Sequence, residues 1–171
     1  MKVAVIGYSG AGKSTLAQEL GRRLETPVLH LDTVQFLPGW QERNREEARA
    51  MVEDFLEQPA WIIDGNYREF CEERRMSEAD IIVFLDFPRL TCFRQALKRY
   101  RSYKGQTRAS MAEGCPEKFD REFVRWLLWE GRTRSRRRRF RDITRRYAEK
   151  AMVCHRRSDV HRCVDTIYRK T

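Results

Sequence analysis

The 171-residue chain is long enough for one domain with a sizeable core, and 41% of its residues are hydrophobic. Its longest apolar runs have the length of a strand, far short of the roughly 20 residues of a membrane span, so no membrane partner is expected. Five cysteines without a C-x-x-C pair argue for reduced thiols in a cytoplasmic protein and against a zinc site. The formal net charge of +10 predicts polyanionic partners, among them nucleotide phosphates, nucleic acid or an anionic surface.

The first twenty residues contain a phosphate-binding motif. An apolar run at residues 3–6 precedes residues 7–14, Gly-Tyr-Ser-Gly-Ala-Gly-Lys-Ser, which match the P-loop spacing G-x-x-x-x-G-K-S. A helix-forming stretch at 15–24 follows. The motif requires a strand before it and a helix after it, and both are predicted here. An ordinary glycine-rich turn is the alternative, and this context disfavours it.

Each part of the P-loop has a chemical reason. Its glycines let successive backbone N–H groups converge on one phosphate, and the start of the following helix adds a positive end. Lys13 can bridge the β- and γ-phosphates, and the Ser14 hydroxyl can ligate Mg²⁺. We therefore expect ATP and Mg²⁺ as ligands. The residues predicted to bind the ATP phosphates are Gly7, Ser9, Gly10, Ala11, Gly12, Lys13, Ser14 and Thr15.

A short buried strand at 27–32 is predicted next, and it ends in Asp32. Ligands bind at the carboxyl edge of open parallel sheets, so Asp32 is a candidate substrate-binding residue. A turn or helix-cap aspartate is the alternative. His30 alternates with apolar positions, and we expect it to be a hydrogen-bonded core or strand-edge residue rather than a ligand.

Residues 36–40, Phe-Leu-Pro-Gly-Trp, predict a turn that carries two aromatic side chains, and a helix is predicted over 45–57. Trp40 has two interpretations that the sequence leaves open. Its ring could stack on a substrate base, or it could pin the loop onto the core.

Two further buried strands end in aspartate. Residues 61–64 end in Asp64 and run into Gly-Asn-Tyr-Arg, whereas residues 80–85 precede Asp86. We expect Asp64 to hold a water of the Mg²⁺ shell, because the glycine after it allows a flexible turn and Arg68 supplies a cation. Asp86 is the alternative residue for this role. Pro88 stiffens the chain after Asp86, which favours a turn-shaping role for Asp86 instead. Arg68 is then placed to bind a substrate phosphate. A shorter helix is predicted around 69–76.

The last third of the chain is rich in arginine. A helix over 89–101 is predicted to carry Arg94 and Arg99 near its exposed side, and a mobile loop is predicted at 104–116. One helix is expected from 121 to about 146, with seven arginines and no acid in residues 132–141. These charges repel one another, so we expect phosphate contact rather than a merely solvated face. A fifth strand at 151–155 and a helix at 159–168, capped by Ser158, complete the prediction.

The order of these motifs resembles that of the nucleoside monophosphate kinases. Residues 64–68, Asp-Gly-Asn-Tyr-Arg, are similar to the adenylate kinase motif Asp-Gly-Phe-Pro-Arg, with Asp, Gly and Arg in register. The chain is more similar still to the adenylate-kinase-related family of DNA topology modulation proteins. That similarity rests on residues 30–32, 38–40, 61–67 and 85–89.

The resemblance implies an α/β, three-layer P-loop NTPase fold with a five-stranded parallel sheet in the order 2-3-1-4-5 and helices on both faces. Residues 1–171 would form a single domain with its core in 1–32, 61–101 and 147–171. A substrate-binding helical segment would lie at about 33–60 and a helical lid at about 102–146. Asp64 would take the magnesium-water role, Arg68 the substrate-phosphate role, and Arg99 the role of the arginine at the lid entrance.

The leading functional hypothesis is ATP-dependent phosphoryl transfer to a small phosphate-bearing acceptor, in the first place a nucleoside monophosphate. The loose transition state spreads charge over three equatorial oxygens, so catalysis needs positioning and cations. If the acceptor is a hydroxyl, Asp32 becomes the natural proton acceptor or orienting group. The expected catalytic residues are Lys13, Arg99, Arg132 and Arg136. The expected substrate-binding residues are Asp32, Trp40, Arg68 and Arg94.

Two other functions stay open. A nucleic-acid-binding P-loop ATPase that affects DNA topology would bind nucleic acid weakly and without sequence specificity through the arginine-rich lid, with strong salt dependence. A non-enzymatic nucleotide sensor would bind ATP without turnover.

Overall fold

A computed structural model describes residues 1–108 and 110–169 of the chain. Position 109 of the predicted loop and positions 170 and 171 of the predicted domain lie outside the described residues. The described strands are β1 (Lys2–Gly7), β2 (Val28–His30), β3 (Phe36–Leu37), β4 (Gln41–Glu42), β5 (Trp61–Asp64), β6 (Ile81–Leu85) and β7 (Ala151–Cys154). The described helices are α1 (Lys13–Leu24), α2 (Leu31–Gln35), α3 (Arg45–Leu56), α4 (Glu72–Glu78), α5 (Arg89–Ser102), α6 (Arg121–Leu128), α7 (Arg134–Arg146) and α8 (Arg157–Arg169).

The main sheet has the strand order β2-β5-β1-β6-β7, and every neighbouring pair is parallel. Counted along the chain, these five strands stand in the order 2-3-1-4-5, as predicted. Helices flank the sheet on both faces, so the predicted α/β fold class is confirmed. The central strands are buried along their whole length, which explains their unbroken apolar sequences. The short strands β3 and β4 pair as a separate antiparallel ribbon.

The loop between α5 and α6 packs on this ribbon and forms a small second hydrophobic cluster. Cys115 is buried at its centre, beside Met111 and Ala112, and Phe36 and Trp40 pack against it from the ribbon. The Gly39 N–H donates to the Gly114 carbonyl at 3.2 Å, and the Cys115 thiol donates to the Leu37 carbonyl at 3.3 Å. The predicted substrate segment and the predicted lid therefore touch.

The single helix predicted over 121–146 is wrong. The chain forms α6, then a single 3-10 turn at Glu130–Arg132, and then α7. Trp129 has φ −128° and ψ −61°, which leaves helical geometry, and the Thr133 side chain caps α7 by accepting from the Arg136 N–H at 3.3 Å. Thr133 is a polar cap residue within an arginine-rich sequence, and such a residue indicates the start of a new helix. The continuous helical pattern obscured this signal.

Three other predicted boundaries shift. Strand β2 ends at His30, so Asp32 lies in the first turn of α2 instead of at a strand end. Helix α4 begins at Glu72, after Cys71 adopts a left-handed conformation with φ +54°. Helix α8 begins at Arg157, and the Asp159 carboxylate, rather than Ser158, accepts from the backbone N–H groups of His155 and Arg156. In each case a local backbone feature overrides the hydrophobic pattern.

The buried aromatic side chain of Phe140 packs helix α7 against the sheet. Phe140 is buried, stacks on Phe84 of β6 with ring centroids 4.8 Å apart, and meets the Tyr8 ring edge-on at 5.3 Å. Phe140 therefore joins the arginine-rich helix to a central strand and to the P-loop. Within residues 1–108 and 110–169, no helix combines the length and the apolar character that a membrane crossing requires.

Replacing Phe140 by alanine should lower the free energy of unfolding by about 3–5 kcal/mol, because a buried ring is lost and a cavity is left. Chemical denaturation measures this change. Tyr168→Ala is the matched control, since Tyr168 is 60% exposed and should cost little. A loss below about 1 kcal/mol for Phe140→Ala would contradict the anchoring role of this ring.

Candidate active site

The P-loop curls around the start of α1. Gly10 has φ +76°, and a Cβ there would lie 2.5 Å from the Cys92 carbonyl oxygen, so only glycine fits. Gly12, with φ +93°, precedes α1. Among the described residues, the first turn of α1 has no side-chain cap and no acidic residue. Its N–H groups are therefore available to an anion, which fits the phosphates of a nucleotide.

Lys13 lies between the loop and two carboxylates. Its ammonium donates to the Tyr8 carbonyl at 3.3 Å. Burial lowers the pKa of Lys13, and the neighbouring charges of Asp64 and Asp32 oppose that effect. The charges of the residues that the sequence assigned to magnesium and to substrate thus act on the lysine that it assigned to phosphate.

Asp64 ends β5 with both carboxylate oxygens occupied. Ser14 donates its hydroxyl to Oδ2 at 2.9 Å, and His30 Nδ1 lies 2.5 Å from Oδ1 in a short hydrogen bond. Asp64 is 4% exposed and His30 is 9% exposed. The histidine is therefore hydrogen-bonded in the core, in agreement with its prediction, and it fixes the orientation of the carboxylate.

The residues at this point fit a magnesium ion. A hydroxyl and a carboxylate are hard oxygen groups of the kind that Mg²⁺ prefers. Among residues 1–108 and 110–169, no group of three or more His, Cys, Asp or Glu side chains could hold a metal by itself. Mg²⁺ commonly takes one or two protein groups and completes its shell with water and phosphate, which matches Ser14 and Asp64.

The loop after Asp64 connects the end of β1 to Asp32. The Asn66 amide accepts from the Gly7 N–H at 3.2 Å and donates to the Gly7 carbonyl at 2.7 Å, so it pairs with the end of β1 as a strand would. Tyr67 donates its hydroxyl to Asp32 Oδ1 at 2.8 Å. Burial raises the pKa of Tyr67, with Asp32 adding to the shift, so the hydroxyl stays protonated and remains a donor.

Arg75 binds the backbone of this loop, and sequence reasoning did not identify this residue. The side chain is fully buried and donates to three backbone carbonyls, those of Tyr67 at 2.6 Å, Phe70 at 2.7 Å and Gly65 at 3.4 Å. Burial lowers the pKa of Arg75 to about 10. In the sequence Glu-Glu-Arg-Arg nothing distinguishes it from its exposed neighbour Arg74, because its partners are main-chain atoms.

A cleft of about 550 Å³ opens beside the P-loop. Trp126 of α6 lies in its wall and donates its indole N–H to the Ser9 hydroxyl at 3.2 Å. The Arg136 guanidinium stacks 4.4 Å above the Trp126 ring. The residues that line the cleft are Arg68, Trp126, Glu130, Thr133, Ser135, Arg136 and Arg139. Two predicted residues, Arg68 and Arg136, thus meet here.

Arg139 adds a third cation to the cleft, and sequence reasoning had not selected it. It donates to the Asn66 carbonyl at 2.5 Å and forms an ion pair with Glu72. Burial, with the charge of Arg68 adding to it, lowers the pKa of Arg139 to about 10. Arg68 and Arg139 line the same cleft, so both guanidinium groups are available to an anion there.

The other predicted residues have different surroundings. Arg99 donates to Glu117 at 2.8 Å, and Arg108 binds the other oxygen of the same buried carboxylate. Arg132 is buried, donates to the Phe87 carbonyl at 2.8 Å and stacks 3.7 Å above the Tyr8 ring. Arg94 is exposed on α5. The catalytic or substrate-binding roles of these arginines stay predictions.

Trp40 packs within the small cluster of the ribbon. Its ring meets Phe36 edge-on at 5.3 Å, and Lys118 lies 4.5 Å from the ring centroid. Its backbone is left-handed with φ +66°, and its buried indole N–H has no hydrogen-bond partner among the described residues. The observed contacts are those of a loop-pinning side chain, and the base-stacking role stays a prediction.

The comparisons with known proteins point to the fold. No protein-family model matches the chain, and no curated protein matches it. Solved structures match over 99% of this chain. One is a shikimate kinase from Bacteroides thetaiotaomicron, of which the match covers 97%, at 20% identity and a TM-score of 0.51. The match to the Acinetobacter baumannii shikimate kinase in complex with shikimate covers 91% of that chain, at 14% identity and a TM-score of 0.53. The match to TT1252 from Thermus thermophilus covers 97% of that chain, at 15% identity and a TM-score of 0.57.

The chain shares its α/β fold with these shikimate kinases. At these identities the likeness establishes architecture, and it does not confirm the DNA topology modulation family. In this chain the glycine loop, Asp64 and the arginine-lined cleft lie on one edge of the sheet, where the strands β1 and β5 end.

Arg75→Lys should lower the free energy of unfolding by about 2–4 kcal/mol, because an ammonium cannot reach three carbonyls in the place of a planar fork. Thermal or chemical unfolding measures the loss. Arg74→Lys is the control: Arg74 makes surface ion pairs with Glu57 and Glu78, which are worth at most about 1 kcal/mol. Equal losses in the two variants would show that Arg75 does not brace the loop.

Proposed function

We propose that this protein is an ATP-dependent phosphotransferase that moves the γ-phosphoryl group to a small acceptor, in the first place a nucleoside monophosphate. One observation carries the proposal. The arginine-lined cleft opens beside the P-loop itself, where Trp126 is bonded to Ser9. Arg68, Arg136 and Arg139 of this cleft offer cations for a second phosphate-bearing group, which a protein that only bound a nucleotide would not need. The kinase fold of the chain supports the same conclusion.

The donor side is formed by the P-loop and the start of α1. Free N–H groups at the first turn, together with Lys13, would bind the β- and γ-phosphates of ATP. Ser14 and Asp64 would hold Mg²⁺, the aspartate through a water molecule, and the bound ion would neutralise charge on the phosphate oxygens. His30 keeps the Asp64 carboxylate turned toward Ser14.

The acceptor side is formed by the cleft. Arg68, Arg136 and Arg139 offer planar donor groups that match phosphate oxygens. A volume of about 550 Å³ falls within the roughly 300–1,000 Å³ of small-molecule sites. Since the reacting group of a nucleoside monophosphate is already an anionic oxygen, this side needs cations and requires no base. Arg99, Arg132, Arg94 and Trp40 would assist if closure brings them to the ligands.

A second acceptor class, an uncharged hydroxyl, is favoured by one observation. The Asp32 carboxylate accepts from the Tyr67 hydroxyl at 2.8 Å, and its charge opposes the lowering of the Lys13 pKa by burial. A carboxylate at this position repels an anionic acceptor but can orient a hydroxyl or accept its proton. Two of the structural neighbours are shikimate kinases, and the shikimate of their name carries hydroxyl groups.

A coupled ADP-release assay with a panel of nucleoside monophosphates and small polyols tests the proposed activity. Lys13→Ala should lower turnover at least about 100-fold on every accepted substrate, because the phosphate loses its closest cation. Lys98→Ala is the control, since Lys98 is exposed on α5. If the wild type binds ATP but turns over no acceptor faster than Lys13→Ala does, the protein is a nucleotide sensor and not a kinase.

Asp32→Asn separates the two acceptor classes. If a hydroxyl is the acceptor, kcat should fall by about 10²–10⁴, because the proton acceptor is lost. If the acceptor is a nucleoside monophosphate, kcat should change by less than about tenfold, since no base is required. Tyr67→Phe is the companion variant, because it removes the hydroxyl that holds Asp32 and keeps the carboxylate. A large kcat loss with a nucleoside monophosphate would contradict this division.

A further inference from the structure

The arginines of α7 divide between two sides of the helix. Arg136 and Arg139 line the cleft, and Phe140 packs on the sheet. Six others are exposed. Four of these recur at i, i+4, i+7 and i+11, which places them on one side of a helix with 3.6 residues per turn. This set, the outer arginine face, consists of Arg134, Arg138, Arg141 and Arg145.

The outer arginine face is almost unpaired. Among residues 1–108 and 110–169, Arg134, Arg141 and Arg145 have no ion pair and no side-chain hydrogen bond. Arg138 has only Asp142, at 3.8 Å, and these two side chains are 83% and 61% exposed. By contrast, Arg146 at the end of the helix pairs with Glu73 at 3.0 Å. The proposed phosphotransfer site uses none of the four.

This arrangement disfavours the helix that carries it. Arginines three and four residues apart repel one another along the face. Arg134 also lies in the first turn of α7, which contains no acidic residue, and a cation there opposes the helix macrodipole. Phe140, on another side of the helix, holds it in place despite this cost. Local stability therefore does not explain the choice of arginine at these four positions.

We propose that the outer arginine face binds the sugar–phosphate backbone of a nucleic acid without sequence preference. Its four guanidinium groups follow a line of about 16 Å, at 1.5 Å of helix per residue. A guanidinium binds phosphate oxygens in a fork, and a row of them matches a polymer with regularly spaced anions. The formal net charge of +10 adds long-range attraction.

The apolar residues of α7 decide between a nucleic acid and an anionic membrane. A helix that lies on a bilayer inserts an apolar face beside its cations. In α7 the apolar side chains Phe140 and Ile143 pack against the hydrophobic core instead. The outer arginine face therefore offers charge without an insertion surface, which favours phosphates in water over a lipid headgroup layer.

Fluorescence anisotropy with a labelled 20-nucleotide strand and a 20-base-pair duplex, without ATP and over a salt series, tests the proposal. The outer-face variant replaces Arg134, Arg138, Arg141 and Arg145 by Gln. The control variant replaces four exposed cations elsewhere by Gln, namely Arg22, Lys98, Arg101 and Lys104. Each variant removes four of the ten net charges and leaves +6.

The wild type should bind with log affinity falling linearly with log salt. The outer-face variant should bind at least about tenfold more weakly at 50 mM salt, with a slope smaller by about three to four, since each phosphate contact contributes about 0.7–0.9. The control variant should keep the wild-type slope to within about one. ADP release by the outer-face variant should match the wild type, which separates this proposal from the proposed phosphotransfer.

Three results would overturn the proposal. If the wild type binds neither nucleic acid, the face has another purpose. Equal loss in the outer-face and control variants would mean that net charge alone attracts the polymer. Binding of the wild type to vesicles with anionic lipid but to neither nucleic acid, lost in the outer-face variant, would assign the face to a membrane. Unfolding curves check that both variants fold. If the fourfold outer-face variant does not fold, the double variant Arg141→Gln with Arg145→Gln replaces it in the same measurements.

Discussion

The candidate site depends on the short hydrogen-bonded chain from Ser14 through Asp64 to His30. It joins the first turn of α1, the end of β5 and the end of β2, so that three separate elements meet at one buried carboxylate. A carboxylate that is 4% exposed is stable as an anion only when donors surround it. Here the donors are the groups that a nucleotide site requires, and the fold and the site therefore constrain each other at this point.

The loop after Asp64 extends this constraint to the substrate side. Asn66 joins it to the end of β1, Tyr67 joins it to Asp32, and Arg139 joins it to helix α7. Arg75 binds its backbone carbonyls. One short loop thus sets the distance between the P-loop and the acceptor side. Because its backbone groups are satisfied by buried side chains, it can present Arg68 to the cleft as a fixed cation.

The sequence was sufficient for the sheet. Apolar runs that end in aspartate, such as the one before Asp64, predicted the strands and placed Asp64 at the sheet edge where it meets Ser14. It was insufficient where contacts between distant residues or a single helix cap decide a role. Arg75 binds carbonyls, Glu117 joins Arg99 to Arg108 across a loop, and the 3-10 turn before α7 depends on one cap at Thr133. Such contacts leave no periodic signal in the chain.

The arginine run shows the same division within one helix. Its helical spacing was legible, but the sequence did not say which side faces the P-loop, because that depends on Phe140 docking between Phe84 and Tyr8. Once the helix is docked, Arg136 and Arg139 turn to the cleft and the outer arginine face turns to solvent. A single charged segment therefore serves two surfaces.

The most direct measurement of the central claim is a calorimetric titration of ATP into the protein with and without Mg²⁺. The account predicts saturable one-site binding that tightens when Mg²⁺ is present and weakens when Ser14 is replaced by Ala, because donor phosphates, Ser14 and Asp64 would share the ion. Absence of binding heat at millimolar ATP with Mg²⁺ would contradict the account.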